Sequence, residues 1–274
     1  MCGDESLIVK VKYQYQGVAW NDFPINSFPM YMNLPVYVAG LAVVLLVFAC
    51  VPSPQQNDMP AAPNPAHAEG DNGSPPGPDS VIKWLKAGND EFAHGIYNEH
   101  GVDSSLRIHL SGGQHPLAAV LTCSDSRVSP ELIFDKGLGD LFVIRVAGNI
   151  VDDAVLGSME YAVEHLHTPV IVVMGHRNCG AIAAAVADLR DTSRSPINDH
   201  VRSLTDRIEQ AMVSVNLDEK DITQRALLSN ILFSVDVLKK SRPVLSEAVA
   251  HGELRIDGAV YDLTTGKVEW LEKH

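Results

Sequence analysis

The sequence is poor in basic residues and in cysteine. Its 274 residues include 21 Lys or Arg against 34 Asp or Glu, which gives a formal net charge of −13. Proteins that bind nucleic acid neutralise phosphates with clustered Lys and Arg. No such cluster occurs along the chain, so we expect no nucleic-acid partner. The four cysteines, at positions 2, 50, 123 and 179, are too few for a disulfide scaffold in a chain of this length.

Long charge-free apolar runs are also missing, with one exception at residues 35–51, PVYVAGLAVVLLVFACV. The length of this run lies between that of a signal-peptide core and that of a minimal membrane span. It ends in VFAC, which resembles a bacterial lipobox whose lipidated residue would be Cys50. The alternatives are an uncleaved transmembrane anchor and a cleaved signal peptide.

The only basic residues before this run are Lys10 and Lys12, which favour a cytoplasmic N-terminus and export of the chain that follows. We therefore expect a membrane anchor near the N-terminus. The expected location is the cell envelope, on the exported side of the cytoplasmic membrane. A secreted or periplasmic soluble protein is the alternative.

Composition divides the chain into four parts. Residues 1–34 form an N-terminal extension, and residues 35–51 form the signal, lipobox or transmembrane segment. Residues 52–79 are rich in Pro, Ala, Asn and Gly, cannot bury a core, and are predicted to be a disordered linker. Residues 80–274 carry the periodic apolar patterns of a globular domain.

The patterns of this domain alternate between helices and buried strands. Continuous apolar runs bounded by turn residues predict parallel strands at 116–123, 140–148 and 168–175. Two further strands are expected around the Thr-Gly turn within 254–271. Helical spacing covers the segments 80–95, 152–167, 179–190, 198–212 and 221–250. This order predicts an α/β fold with a central, mainly parallel sheet flanked by helices.

Two polar segments follow predicted buried strands directly: CSDSR at 123–127 and HRNC at 176–179. The carboxyl ends of parallel strands form the ligand-binding edge of an open α/β sheet. Two thiolates and one imidazole suit zinc, and no further Cys or His lies nearby to complete a structural site. The fourth position is therefore expected to be open to water or to Asp125. A Cys/His nucleophile pair is the alternative, but it has no use for the second cysteine.

The segment 121–182 closely resembles the β-class carbonic anhydrases, whose signatures are CSDSR and HxxCGA. The likeness extends to KAGNDEF near the start of the domain and to GAVYDLTTGKV near its end. The resemblance implies the β-carbonic anhydrase fold and one Zn²⁺ per chain on Cys123, His176 and Cys179. It also implies reversible hydration of carbon dioxide to bicarbonate and a proton by zinc-bound hydroxide, in a homodimer or higher even oligomer.

By the same resemblance, Asp125 and Arg127 form the catalytic dyad. Asp125 can accept a hydrogen bond from the attacking hydroxide, and Arg127 can hold Asp125 ionised through a bidentate pair. If that pair breaks, Asp125 becomes a possible fourth metal ligand in a closed form favoured at low pH. Some bacterial members have a tryptophan of an inhibitory bicarbonate site where Val120 stands here, although the matching Arg145 is present. We therefore expect the plant-like, open type.

The resemblance also implies roles for several single residues. Gln114 would hydrogen-bond the substrate, Phe142 and Tyr161 would line its apolar pocket, and the Gly180 amide would stabilise charge on bicarbonate. His165 is a possible proton shuttle. Alternatively, Gln114 is a polar loop residue, the two aromatic residues belong to the core, and His165 is a surface histidine without a function.

Two other functions fit the same motifs. One is a hydrolase of carbon disulfide or carbonyl sulfide on the same fold, and the other is a non-catalytic zinc-binding envelope protein. The dyad of Asp125 and Arg127 favours catalysis, because zinc storage alone has no use for it.

Overall fold

The computed structural model describes residues 76–98, 100, 102–191, 199–213 and 215–271. The predicted extension, the apolar segment with Cys50 and nearly all of the predicted linker lie outside these residues. Among the helices within the described ranges, none is both long enough and apolar enough to cross a membrane.

The domain is built on one sheet of five strands in the order β2-β1-β3-β4-β5. Their bounds are β1 Ala118–Thr122, β2 Leu141–Arg145, β3 Val170–His176, β4 Arg255–Tyr261 and β5 Val268–Trp270. The first four strands are parallel, and β5 pairs antiparallel with β4. This arrangement confirms the predicted fold class, and all five strands lie within predicted strand segments or one residue beyond them.

Eight helices occur in the described residues: α1 Pro78–Ala93, α2 Ser104–Leu110, α3 Pro130–Ile133, α4 Asp153–Glu164, α5 Gly180–Arg190, α6 Asp199–Gln210, α7 Ile222–Lys240 and α8 Val244–Ala250. Helices α4 to α8 cover one face of the sheet, and α1 and α3 cover the other. Alternate strand residues point to these opposite faces. Leu121 and Val173 pack against the side that contains α4 to α8, whereas Val120 and Val172 pack against the side that contains α1 and α3.

Three features of the helices differ from the sequence-based expectation. Helix α1 begins at Pro78, two residues before the predicted start, and its N-cap is Gly77, because proline at the first position is already set for a helix. The predicted helix 221–250 is interrupted before α8, since a proline at 243 lacks the backbone N–H that a continuous helix needs. The short helices α2 and α3 were not predicted.

Gly88 allows α1 to approach the backbone after α3 closely. A Cβ at this position would overlap the Phe134 carbonyl oxygen and lie 2.8 Å from Lys136 Nζ. Because a backbone atom cannot move aside cheaply, Gly88→Ala should lower the free energy of unfolding by about 3 kcal/mol.

The matched control is Gly157→Ala in α4, where a Cβ would meet nothing within 4 Å. The helix propensity of alanine should leave this variant unchanged or more stable by up to about 1 kcal/mol. Urea unfolding of the full chain measures both variants, and equal midpoints would contradict the close approach at Gly88.

Candidate metal centre

Two thiols and one imidazole meet at the carboxyl edge of the sheet. The ligand atoms of Cys123, His176 and Cys179 all lie within 4.8 Å of one another, and all three residues are buried. Among the described residues this is the one group of three or more Cys, His, Asp or Glu side chains that meets the geometric criterion for holding a metal ion.

Each of these residues is placed by the end of a regular element. Cys123 follows the last residue of β1, His176 is the last residue of β3, and Cys179 is the N-cap of α5. Because β1 and β3 are paired, with Thr122 opposite Met174, their carboxyl ends are neighbours in the sheet. The strand pairing that the sequence argument required is therefore present.

The donor geometry fits zinc. Two Zn–S bonds of about 2.3 Å at a tetrahedral angle put the sulfurs about 3.8 Å apart, and the observed Sγ–Sγ distance between Cys123 and Cys179 is 3.9 Å. Both cysteines are free thiols rather than a disulfide. The buried Nε2 of His176 has no hydrogen-bond partner among the described residues, as expected for an atom whose partner is a metal ion.

The orientation of His176 is fixed from its other nitrogen. Nδ1 lies 2.9 Å from the Arg177 carbonyl oxygen, which can only accept, so Nδ1 donates and Nε2 keeps its lone pair. Arg177 is itself held at several points. Its backbone N–H donates to Tyr261 O at 2.9 Å, and its guanidinium pairs with Asp262 at 3.0 Å and Glu269 at 2.9 Å.

The two thiols influence each other's ionisation. Contact with Cys179, together with the adjacent His176 ring and a hydrogen bond from the Gly148 N–H, lowers the pKa of Cys123 despite its burial. The same contact and burial raise the pKa of Cys179. Metal ligation needs both sulfurs as thiolates, so a divalent cation that binds the pair would release the protons they carry.

Asp125 lies beside the three ligands in a bidentate pair with Arg127. Arg127 Nε donates to Oδ1 at 2.9 Å, Nη2 donates to Oδ2 at 2.7 Å, and the Arg127 backbone N–H donates to Oδ1 at 3.0 Å. These bonds hold the pKa of Asp125 well below its usual range. Oδ2 lies 3.9 Å from His176 Nε2, so an ionised carboxylate borders the candidate site.

Arg145 has a structural role that the sequence argument missed. From the end of β2, its Nε donates to Cys123 O at 3.3 Å and its Nη2 donates to Asp125 O at 2.6 Å. Arg145 thus braces the backbone of the loop that carries both residues. Val120, the other position considered with it, is fully buried in the sheet.

A cavity opens beside the ligands. It has a volume of about 280 Å³ and is lined by His176 and Cys179 together with Ile182, Leu227 and Lys220. Gly180, at the first position of α5, follows Cys179 directly and is exposed. The Gly180 amide therefore lies at the same edge of the sheet as the three ligand residues.

Four other predicted site residues lie away from the three candidate ligands. Phe142 pairs in register with Ala119, four residues before Cys123, which corresponds to about 13 Å along β1. Tyr161 packs on Phe142 with ring centroids 6.3 Å apart, and His165 lies 5.1 Å from the Tyr161 ring. Gln114 is exposed and precedes β1, in a separate cavity lined by α2 and the segment 138–141. One chain alone therefore does not bring these four residues to the thiols.

Comparisons with known proteins agree on one family. A family model described as carbonic anhydrase matches residues 118–268, a span that contains both ligand-bearing loops. Carbonic anhydrase 2 of Mycobacterium tuberculosis is 38% identical over 194 residues, covering 70% of this chain and 93% of that protein. The structure of the beta-carbonic anhydrase CcaA is 30% identical with a TM-score of 0.55, covering 70% of this chain and 96% of that chain. A structure from the work on two tetrameric beta-carbonic anhydrases of Sordaria macrospora is 28% identical with a TM-score of 0.54, covering 70% and 94%.

Proposed function

The chain belongs to the β-carbonic anhydrase family, and on that premise we propose that it holds one zinc ion on Cys123, His176 and Cys179. Its reaction is the reversible hydration of carbon dioxide to bicarbonate and a proton. The observation that carries the zinc assignment is the buried trio itself. Two free thiols lie 3.9 Å apart beside an imidazole nitrogen that has no hydrogen-bond partner in the described part of the chain.

A zinc ion in this site would supply a water molecule acidic enough to lose its proton near neutral pH and attack carbon dioxide. The residues of the chain determine how that water is directed. Asp125 is ionised, so its Oδ2 can only accept a hydrogen bond, and it borders the site at 3.9 Å from His176 Nε2. Arg127 keeps the carboxylate in this orientation through two parallel hydrogen bonds. The Gly180 amide, at the positive end of α5, can stabilise the bicarbonate product.

We assign this chain to the open type within the family. The support is the pairing of Asp125 with Arg127, which leaves the carboxylate outside the group of metal-holding atoms. In a closed form, Asp125 would exchange Arg127 for the metal.

Metal analysis of the purified full chain tests the zinc assignment. We expect about one zinc per chain, and cobalt substitution should give the strong near-ultraviolet charge-transfer bands of two thiolate ligands. A folded chain that contains no zinc and binds no cobalt would overturn the assignment.

We further propose that two copies of the chain complete each substrate site. Gln114, Phe142 and Tyr161 lie too far from the thiols to serve their own chain, and Tyr161 is 46% exposed. The Sordaria relatives are tetrameric. A homodimer or higher even oligomer would let one copy present these residues to the partner's zinc site.

Subunit complementation tests this proposal. Gln114→Ala should impair substrate binding, and His176→Ala should remove the metal. When the two variants are mixed, the zinc site of the first meets the intact glutamine of the second, so hydration should recover. Two impaired variants that stay impaired in mixed dimers would show that Gln114 does not act across the interface.

For the N-terminal region we propose lipidation at Cys50 and attachment to the exported side of the cytoplasmic membrane. The support is the apolar run 35–51 with VFAC at its end. Expression in a bacterial host with radiolabelled fatty acid should label the protein and place it in the membrane fraction, and Cys50→Ser should lose the label. An unlabelled protein in the membrane fraction would indicate a transmembrane anchor instead.

A further inference from the structure

A short turn, Ala147–Asn149, crosses the carboxyl edge of the sheet beside Cys123. Its Gly148 N–H donates to Cys123 Sγ with an N–S distance of 3.4 Å. Gly148 has a φ of 71°, and a Cβ there would lie 2.8 Å from Ile208 Cδ1 and 3.2 Å from Ala181 Cβ. The positive φ strains any residue with a side chain, and Ala181 and Ile208 would crowd its Cβ, so glycine favours the approach of the peptide to the sulfur.

A buried amide on a distant helix holds this turn. Asn230 in α7 is 1% exposed, and its Nδ2 donates to the Gly148 carbonyl oxygen at 2.7 Å. One helical turn later, the Ser234 hydroxyl donates to the Asn149 carbonyl oxygen at the longer distance of 3.4 Å. Helix α7 therefore restrains two carbonyl groups of the turn, those of Gly148 and Asn149, and Asn230 makes the shorter bond.

Asn230 and Ser234 bond to different residues of the turn, so we expect them to affect the Cys123 sulfur differently. Asn230 binds the carbonyl of the same residue whose N–H faces the sulfur, whereas Ser234 binds the next carbonyl. The carbonyl of Gly148 lies in the peptide plane that follows its N–H, and glycine has the least intrinsic preference for one backbone conformation. Asn230 therefore acts on the N–H by restraining the φ and ψ angles of Gly148. A hydrogen bond to a thiolate sulfur neutralises part of its charge and fixes the direction of its lone pairs.

We propose that Asn230 is a positioning residue for the metal site and acts through Gly148 on the Cys123 sulfur. Among the hydrogen bonds of the described residues, that of Asn230 goes to the Gly148 carbonyl oxygen and not to any of the three ligand residues. By holding the Gly148 N–H on Cys123, it presets that thiolate for the metal ion. This inference rests on the proposed zinc site.

Zinc competition with a chelator tests the proposal on the full chain. For Asn230→Ala we expect the zinc dissociation constant to rise by about tenfold, the lower end of the range for outer-shell partners of metal ligands. The matched control is Ser234→Ala on the same helix and turn, whose zinc affinity should stay within about twofold of the parent chain. Equal affinities for all three folded proteins would overturn the inference.

A second measurement begins with the parent chain, so its first result does not depend on the folding of a variant. In the parent chain loaded with cadmium-113, the Gly148 amide proton should show scalar coupling to the metal through the N–H···S hydrogen bond. Asn230→Ala should lose this coupling, and Ser234→Ala should keep it. If the metal binds and the Gly148 amide is uncoupled, the inference is wrong and the zinc site stands. If the parent chain binds neither zinc nor cadmium, the proposed zinc site fails first.

Discussion

Cys179→Ala is expected to remove both zinc and carbon dioxide hydration. The residual Cys123 and His176 offer one thiolate and one imidazole, which leaves a site with too few ligands to retain the ion against dilution. Zinc content should fall from about one per chain to below about a tenth. Hydration should fall by about a thousandfold or more, because the metal supplies the nucleophile.

The control for this experiment is Ser203→Ala, which truncates an exposed side chain of α6 and should leave both quantities unchanged. Zinc analysis and stopped-flow hydration are measured on the same samples. Full hydration by a Cys179→Ala protein that has lost its zinc would contradict the assignment of this site.

Asp125→Ala is expected to separate metal binding from catalysis. None of the three ligand atoms belongs to Asp125, and its carboxylate is engaged by Arg127, so zinc content should remain about one per chain. Without the acceptor that directs the attacking water, kcat/KM for hydration should fall by about a hundredfold to a thousandfold. This outcome would also exclude a protein that only stores zinc, for which Asp125 would have no effect.

The neighbouring Ser126→Ala serves as the matched control, because this exposed residue lies in the same loop. Its hydration rate and zinc content should equal those of the parent chain. Near-normal hydration in Asp125→Ala with full zinc content would show that the proposed role of the carboxylate is wrong.

Local sequence patterns were sufficient to predict the sheet and the group of three residues that could hold a metal ion. The strands around Val120 and Val172 are continuous apolar runs because the sheet is covered on both faces, and such runs are visible without any tertiary information. Once β1 and β3 are taken as neighbours, the segments that follow them must meet. The positions of Cys123, His176 and Cys179 then follow from the carboxyl-edge rule for α/β sheets.

The supporting contacts could not be predicted in the same way. The bond from Asn230 to Gly148 joins residues 82 positions apart, and the bonds from Arg145 to the loop after β1 depend on the register between β1 and β2. Neither contact produces a periodic pattern or a shift in composition that could be recognised in the sequence. The distance between Phe142 and the thiols of its own chain depends on the same register, so the sequence did not reveal it. That register places Phe142 beside Ala119, near the amino end of β1 rather than at the carboxyl edge.

The most direct test of the account is stopped-flow carbon dioxide hydration by the full chain across a range of pH, with zinc quantified in the same sample. The account predicts fast turnover that rises with pH, at about one zinc per chain. Stoichiometric zinc without hydration at any pH would contradict it.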